Sequence, residues 1–288
     1  MKKLVLMLLS ISSACWALPN LSREATIGEN LNYRLESEWY RAHKDVSNQL
    51  FRPVGFEEKG KYPIVLVLPT CGGIRSVNHH QMHFWVREFV RAGFLTMVVD
   101  STNARGLRHN CGRDRSVEDG RLMKDVADAV KSLKTIPYVN SERIFSVGFS
   151  QGAMTNFLLG SPSARSEIDL NNKPIRAMAS LYGICRAGTS GSYVWLREDT
   201  DIPLLILGGK SDTEAPFSDC ESSIKSIKEG GRSVDFYLYE GLSHAWDNEG
   251  LNNFSKTAPN GNTVKYIFDE RARNDSKDRI IRFFDAFK

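Results

Sequence analysis

Six short aliphatic runs alternate with stretches of helical periodicity along most of this chain, and this alternation limits the folds it can adopt. The runs occupy residues 64–68, 95–99, 144–147, 177–181, 204–207 and 234–239. Such runs are typical of strands that are covered on both faces of a parallel sheet. Apolar residues spaced three and four apart predict helices between them, at residues 82–90, 122–133, 151–159, 219–229 and 276–287. We therefore expect an α/β fold with a doubly wound, mostly parallel sheet and helices on both faces.

The composition agrees with one globular domain. The chain has 288 residues, of which 41% are hydrophobic, and this is enough for a sizeable core and excludes disordered and collagen-like chains. Its net charge of +4 is spread without a basic block, so nothing indicates a nucleic-acid partner. Because no repeat or linker interrupts the alternation, we expect a single domain over residues 18–288.

The N-terminus has the order of a secretory signal peptide. Lys2 and Lys3 precede an apolar run over residues 4–16, and small residues follow, so we predict cleavage after Ala17. The run is too short for a stable membrane span. Lipidation at Cys15 is the alternative, but the third residue before it is not the expected aliphatic one. We therefore expect a periplasmic or secreted protein without stable membrane insertion after cleavage.

Four cysteines remain after the predicted cleavage site, an even number in a compartment where disulfides persist. They are Cys71, Cys111, Cys185 and Cys220. Three pairings are possible, and the spacing alone favours none. We interpret these cysteines as two structural disulfides rather than as a thiol catalyst.

The strongest chemical signal is a GxSxG motif formed by Gly148, Ser150 and Gly152. It directly follows the predicted strand at residues 144–147 and precedes the apolar helical segment at 153–159. A serine on a sharp strand-to-helix turn projects its hydroxyl into a site, and the helix N-terminus points free N–H groups at an oxyanion formed there. We predict that Ser150 is a nucleophile.

A serine nucleophile needs a base, and the base needs a group that orients it. His244 follows the last predicted strand and Asp212 follows the strand before it, so both are expected at the carboxyl edge of the sheet. The chain order Ser, Asp, His is that of α/β hydrolases. The alternatives are a surface histidine and a helix-capping aspartate. The other candidate acids are Asp201, Asp219 and Asp247, of which Asp201 precedes its strand and is expected at the wrong edge.

Together these residues resemble the dienelactone hydrolase family of α/β hydrolases, in particular exported members with a serine nucleophile. The resemblance spans about residues 62–286 and rests on the segments at 68–73, 100–112, 148–152, 181–185, 208–220 and 239–247. It implies the α/β-hydrolase fold and hydrolysis of esters or lactones through an acyl-enzyme. It also implies that the backbone N–H groups of Cys71 and Gln151 form the oxyanion hole, and that the disulfides are Cys71–Cys111 and Cys185–Cys220.

The chain departs from the family in two places. Ser150 stands where dienelactone hydrolases in the narrow sense have cysteine, so their substrate does not carry over. Pro69 and Thr70 stand where similar exported proteins read His-Gly. We expect this change either to place the Thr70 hydroxyl near the site or to impair the oxyanion hole, where one lost donor costs about 3–4 kcal/mol.

Other residues suggest substrate contacts or a metal. Two segments, 101–117 and 248–275, fit the strand-helix alternation poorly and are candidate pocket walls. The first contains four arginines that can bind a substrate carboxylate or simply be solvated, Arg105, Arg108, Arg113 and Arg115. Trp246 is expected in the core or in a pocket wall, and because it lies two residues after His244 it can line the acyl site. His79 and His83 are one helical turn apart, but no third ligand is evident, so we predict no metal.

The sequence therefore predicts an exported serine hydrolase that cleaves a small-molecule carboxylic ester or lactone on Ser150 and needs no cofactor. One alternative is a catalytically impaired hydrolase fold that binds a ligand, for which Pro69 and Thr70 are the best support. The other is a serine peptidase, although such peptidases usually carry a large additional domain. The sequence predicts neither the acyl group, the alcohol nor the oligomeric state.

Overall fold

The structure is a computed structural model that describes residues 20–112, 115–187, 193–257, 261 and 263–287. The predicted signal peptide, Cys15 and Arg113 lie outside these residues. Within the described part of the chain, no helix is long and apolar enough to cross a membrane.

An eight-stranded sheet forms the centre of the molecule, and two short hairpins lie outside it. The strands are β1 (Arg34–Glu38), β2 (Gln49–Phe51), β3 (Tyr62–Leu68), β4 (Leu95–Val98), β5 (Val139–Phe149), β6 (Ala177–Leu181), β7 (Arg186–Ala187), β8 (Tyr193–Val194), β9 (Leu204–Gly209), β10 (Val234–Tyr239), β11 (Ser255–Thr257) and β12 (Thr263–Lys265). The order in the large sheet is β1-β2-β4-β3-β5-β6-β9-β10, and the hairpins are β7-β8 and β11-β12. β2 runs antiparallel to β4, while the remaining neighbours in the large sheet are parallel.

Helices cover both faces of the sheet and create two hydrophobic cores. One core contains residues of α1, α3, α4 and α6, and the other contains residues of α2 and α7. Each strand can contribute side chains to both cores, because successive side chains point to opposite faces of the sheet. In β3, Ile64, Leu66 and Leu68 belong to the first core, and Val65 and Val67 belong to the second. The helices are α1 (Leu21–Thr26), α2 (His79–Arg91), α3 (Asp119–Leu133), α4 (Gln151–Gly160), α5 (Pro162–Ser166), α6 (Ser218–Glu229) and α7 (Glu270–Asp285).

This architecture confirms the predicted fold class, and all six predicted strands are present. β1 and β2 were not predicted from the sequence, because β1 is a partly exposed edge strand without an aliphatic run and β2 has only three residues. The segment 248–275 is not all loop: it contains the β11-β12 hairpin and the first turns of α7. That helix begins at Glu270 rather than at Ser276, since the Asp269 side chain caps it by accepting the N–H of Ala272.

Two disulfides join the cysteines in the pairs that the family resemblance implies. Cys71 bonds to Cys111 and Cys185 bonds to Cys220, with sequence separations of 40 and 35 residues. The first connects the loop after β3 to the 101–117 segment. The second connects the loop after β6 to α6 and lies within the core on that side of the sheet.

We predict that removing the second disulfide lowers the free energy of unfolding. Closing a loop of this length stabilises a chain by about 4 kcal/mol in the chain-entropy model. Urea unfolding of the Cys185→Ser, Cys220→Ser double variant should therefore show a lower midpoint than the oxidised parent, and the parent under reducing conditions should show at least the same loss. An unchanged midpoint in the double variant would contradict a stabilising role for this disulfide.

Candidate active site

The candidate nucleophile lies on a sharp turn between β5 and α4. Ser150 has a φ of 50°, in the left-handed region that residues with a side chain rarely adopt. The turn also requires glycine at two neighbouring positions. A Cβ on Gly148 would lie 2.2 Å from the carbonyl oxygen of Gly152, and a Cβ on Gly152 would lie 2.2 Å from that of Leu68. The end of β3 and the start of α4 therefore approach each other closely beside Ser150.

The structure brings Asp212 and His244 together with this serine. They follow β9 and β10, whose carboxyl ends lie at the same edge of the parallel sheet as that of β5. His244 Nδ1 lies 2.8 Å from Asp212 Oδ2, and His244 Nε2 lies 3.1 Å from Ser150 Oγ. In this geometry a neutral imidazole whose Nδ1–H points at the carboxylate can accept the serine proton at Nε2.

The second carboxylate oxygen of Asp212 is held by the backbone. Oδ1 accepts the N–H groups of Glu214 and Ala215, each at 2.9 Å. Asp212 is 5% exposed and His244 is 4% exposed, so their contact is largely shielded from water. Asp212 thus presents a fixed acceptor to one nitrogen of the imidazole and leaves the other nitrogen to the serine.

The surroundings of His244 favour its protonated form. Burial would lower its pKa, but the charge and hydrogen bond of Asp212, together with the charge of Glu214, raise the pKa above the usual value of 6.5. The imidazolium that forms when a base takes a proton from serine is therefore stabilised in place.

The predicted oxyanion residues flank the nucleophile turn. Gln151 is the first residue of α4, so its N–H has no acceptor within the helix. Cys71 lies in the loop after β3. Thr70, the residue before it, and Gln151 both line one small cavity. Thr70 Oγ1 accepts the N–H of Gly72 and an amide hydrogen of Asn78, both at 3.3 Å, so this hydroxyl braces its own loop.

Three buried asparagines, which the sequence analysis did not select, hold this loop. Asn110 donates its backbone N–H to the Cys71 carbonyl at 2.6 Å and its side-chain amide to Gln151 Oε1 at 3.2 Å. Asn103 accepts the N–H of Ile74 at 2.7 Å, and Asn78 contacts Thr70. Asn103 and Asn110 contact groups at least 29 positions away in the sequence, so no local motif marks them.

Two residues predicted to bind substrate have other roles. The Arg105 guanidinium forms two hydrogen bonds with the buried carboxylate of Asp125, at 2.8 and 2.9 Å, and also donates to the carbonyls of Ser101 and Glu29. Its terminal nitrogens are thus occupied by the protein. Trp246 is fully buried and donates to Ser276 Oγ, so it belongs to the core behind His244 rather than to an acyl pocket.

Of the other arginines in the described part of the 101–117 segment, Arg108 is exposed and Arg115 is held by an acid of the protein. Arg115 pairs with Asp119 at the start of α3, with a nitrogen-oxygen distance of 2.7 Å. Arg113 lies outside the described residues.

The three other candidate acids do not take the place of Asp212 beside the imidazole of His244. Asp201 forms a two-pronged ion pair with Arg165. Asp219 lies in the first turn of α6. Asp247 is fully buried and accepts hydrogen bonds from Gln81, Trp85 and Tyr182 at 2.7–2.9 Å.

Burial raises the pKa of Asp247 despite the hydrogen bonds it accepts. The Tyr182 ring, held by this carboxyl group, packs edge-on against the His244 ring at 4.8 Å. Asp247 therefore holds the Tyr182 ring against which the His244 imidazole packs.

Among the described residues, no further histidine, cysteine or acid joins His79 and His83 in a group that could hold a metal ion. Their Nε2 atoms both lie near the carbonyl oxygen of Lys44, at 3.3 and 3.1 Å, and the Tyr40 hydroxyl contacts His83 Nδ1. No group of three or more histidine, cysteine, aspartate or glutamate side chains among the described residues could hold a metal ion.

One functional candidate was missed at the site itself. Glu214 lies two residues after Asp212, and its Oε2 is 3.9 Å from His244 Nε2. Its position just past the same strand end is the signal that could have identified it. Lys256 and Tyr266, which contact Glu214, come from the 248–275 segment that the sequence analysis considered a pocket wall.

The fold and this arrangement agree with the comparison to known families. Residues 50–288 match the dienelactone hydrolase family. The chain belongs to this family. Membership supports a hydrolase of the α/β-hydrolase superfamily and does not by itself define the substrate.

Solved structures from this superfamily are similar in fold. A Klebsiella pneumoniae protein assigned as a dienelactone hydrolase has a TM-score of 0.62 at 17% identity, and the match covers 81% of this chain and 90% of that one. Esterase 2 of Thermogutta terrifontis phosphoramylated by tabun has a TM-score of 0.60 at 15% identity, covering 82% and 88%. At these identities the likeness shows the fold alone.

One curated relative is also similar in sequence. It is the uncharacterized peptidase YuxL of Bacillus subtilis, 24% identical over 225 residues. The match covers 69% of this chain and 33% of the relative, so this chain spans about a third of that protein's length.

We predict that the imidazole of His244 titrates above pH 6.5 and that Asp212→Asn lowers its pKa. The substitution removes the charge that offsets burial but keeps a side chain of similar shape. NMR titration of the histidine ring signals, assigned with a His244→Gln variant, measures both values. An equal pKa in the parent and in Asp212→Asn would contradict the electrostatic role of Asp212.

Proposed function

We propose that this protein is an exported serine hydrolase that cleaves carboxylic esters or lactones through an acyl-enzyme on Ser150. The observation that carries the proposal is the continuous contact from Ser150 Oγ through His244 to Asp212, on a strained turn at the N-terminus of α4. A ligand-binding protein has no physical need for a serine, a histidine and an aspartate from three strand ends in this order.

In the first half of the reaction, His244 Nε2 accepts the Ser150 proton while the oxygen attacks the carbonyl carbon of the substrate. The negative charge that develops on the carbonyl oxygen is stabilised by the N–H groups of Cys71 and Gln151 and by the N-terminal end of the α4 dipole. The tetrahedral intermediate collapses as the imidazolium returns its proton to the departing alkoxide, which leaves as the alcohol.

In the second half, a water molecule takes the place of the alcohol. His244 accepts one proton of the water, and the remaining hydroxide attacks the acyl carbon. Collapse of this second tetrahedral intermediate breaks the acyl-oxygen bond to Ser150, which recovers its proton from the imidazolium, and the carboxylic acid is released. Asp212 keeps the imidazole oriented throughout and stabilises its positive charge.

The comparisons favour an esterase. Several similar structures are of Thermogutta terrifontis esterase 2 carrying organophosphorus groups, and one is described as propionate-bound. Family membership supports the same class of reaction. Two disulfides and a predicted signal peptide favour export, because disulfides form and persist outside the cytoplasm.

A serine peptidase is the second candidate, because the curated relative is named as an uncharacterized peptidase. An ester and an anilide of the same acyl group separate the two functions. An esterase turns over the p-nitrophenyl ester in preference to the p-nitroanilide, whereas a peptidase of this mechanism needs to cleave peptide amides efficiently.

We predict that the oxidised protein hydrolyses p-nitrophenyl acetate and butyrate and that Ser150→Ala lowers kcat by roughly 1,000-fold or more, because no other group replaces the nucleophile. Ser222→Ala is the matched control, since this serine is exposed on α6, and it should keep the parental rate. Equal rates for Ser150→Ala and the parent would overturn the proposed function and favour a ligand-binding protein.

A further inference from the structure

A charged and hydrogen-bonded cluster borders the reactive nitrogen of His244. It consists of Glu214, Lys256 and Tyr266, called the Glu214 cluster below. Glu214 Oε1 accepts from Lys256 Nζ at 2.8 Å, and Oε2 accepts from the Tyr266 hydroxyl at 2.5 Å. Oε2 also lies 3.9 Å from His244 Nε2, too far for a hydrogen bond. Glu214 is therefore not the residue that orients the imidazole.

The cluster is held in place from two sides. Glu214 belongs to the loop after β9 that contains Asp212, whereas Lys256 and Tyr266 come from the β11-β12 hairpin and the residue that follows it. The Ser243 hydroxyl donates to the Lys265 carbonyl at 2.5 Å, and the Thr213 hydroxyl donates to that of Thr263 at 3.3 Å. Both loops that carry the base and its acid are thus tied to the hairpin.

The position of the cluster defines which part of a substrate it meets. In the tetrahedral intermediate the oxyanion faces the N–H groups of Cys71 and Gln151, while the leaving oxygen must reach His244 Nε2 to receive its proton. A leaving oxygen at hydrogen-bond distance from Nε2 lies within about 7 Å of Glu214 Oε2. Substituents one to three bonds beyond that oxygen can therefore contact the Glu214 cluster.

The chemistry of the cluster favours a neutral alcohol with several hydroxyl groups. Glu214 and Lys256 neutralise each other, so the pair attracts neither a cation nor an anion strongly, but it offers both an acceptor and a donor. Their side chains are 13% and 33% exposed, so part of the pair remains open to a ligand. An alkyl group placed there would remove water from both charges without replacing its hydrogen bonds, which is unfavourable.

The ionised state of Glu214 is consistent with this arrangement. Burial would raise its pKa, but the charge of His244 and the hydrogen bonds from Lys256 and Tyr266 outweigh burial and lower it. Glu214 therefore remains an acceptor over the pH range in which His244 can act as a base.

We propose that Glu214 and Lys256 form a leaving-group subsite that selects esters of polyhydroxylated alcohols, such as glycerol or a sugar. This inference rests on the proposed serine hydrolase function and adds the class of alcohol to it. The hydroxyl groups of the alcohol donate to the Glu214 carboxylate and accept from the Lys256 ammonium. The subsite acts on the alcohol rather than on the acyl group.

Two esters with the same acyl group and the same three-carbon alcohol skeleton test the proposal. 1-Monobutyrin carries two free hydroxyl groups on the alcohol, and propyl butyrate carries none. For the parent protein we expect kcat/KM to be at least tenfold higher for monobutyrin. p-Nitrophenyl butyrate, assayed in parallel with the Ser150→Ala variant, reports separately on the proposed hydrolase function.

Replacing both Glu214 and Lys256 should abolish the preference for monobutyrin over propyl butyrate. In the Glu214→Leu, Lys256→Met double variant no charge is left unpaired, and the monobutyrin-to-propyl butyrate ratio should fall to near 1. Tyr266→Phe removes only the hydroxyl that holds Glu214 and should lower the ratio to an intermediate value. The matched control is Lys225→Met with Glu229→Leu, an exposed ion pair on α6, which should keep the parental ratio.

The possible results distinguish the two proposals. Ser150-dependent turnover of p-nitrophenyl butyrate with equal rates for monobutyrin and propyl butyrate would overturn the polyol subsite and leave the hydrolase function intact. A parental preference that survives in the double variant would also overturn it, and so would a preference for butyrylcholine over monobutyrin, since that favours a cation site at Glu214. No turnover of any ester would overturn both proposals.

Discussion

The close approach of backbone at the turn between β5 and α4 is the constraint on which the rest of the site depends. α4 can start directly against the end of β3 only because Gly152 lacks a side chain. The absence of a side chain on Gly148 lets the end of β5 approach Gly152 across the turn, in which Ser150 has a positive φ. The same contact places the loop after β3, with Cys71, beside the N-terminus of α4. The proposed nucleophile and both proposed oxyanion donors therefore share one local arrangement, which buried asparagines and a disulfide hold in place from outside.

The parallel sheet supplies the remaining groups through the order of its strands. β9 and β10 are adjacent and parallel, so the loops that follow them bring Asp212 and His244 to one edge. The β11-β12 hairpin is hydrogen-bonded to both loops and brings Lys256 and Tyr266 against Glu214. The acid and base of the proposed reaction thus share a supporting structure with the proposed alcohol subsite, so catalysis and selection of the leaving group have a common structural origin.

The sequence could predict the fold, and it could predict which side chains meet at the candidate site, because both depend on local signals. Aliphatic runs identified six of the strands, and GxSxG with two polar strand ends selected Ser150, Asp212 and His244, which the fold brings into contact. Arg105 was expected to contact substrate or solvent, whereas it pairs with Asp125, and Trp246 donates to Ser276 within the core, one of the two positions considered for it. These partners are known only once the chain has folded. Asn110 was missed for a related reason, since its contacts join segments distant in sequence and it belongs to no short motif. Glu214 did have a local signal, its position just past the strand end that carries Asp212, but its contacts with Lys256 and Tyr266 are known only from the fold.

Covalent labelling shows whether Ser150 is a nucleophile activated by His244. Intact mass spectrometry after incubation with paraoxon should show one diethylphosphoryl group per chain, and digestion should locate it on the peptide that contains Ser150. We expect no adduct in Ser150→Ala and much slower labelling in His244→Gln. An unlabelled parent protein, or labelling that persists in Ser150→Ala, would show that Ser150 is not such a nucleophile.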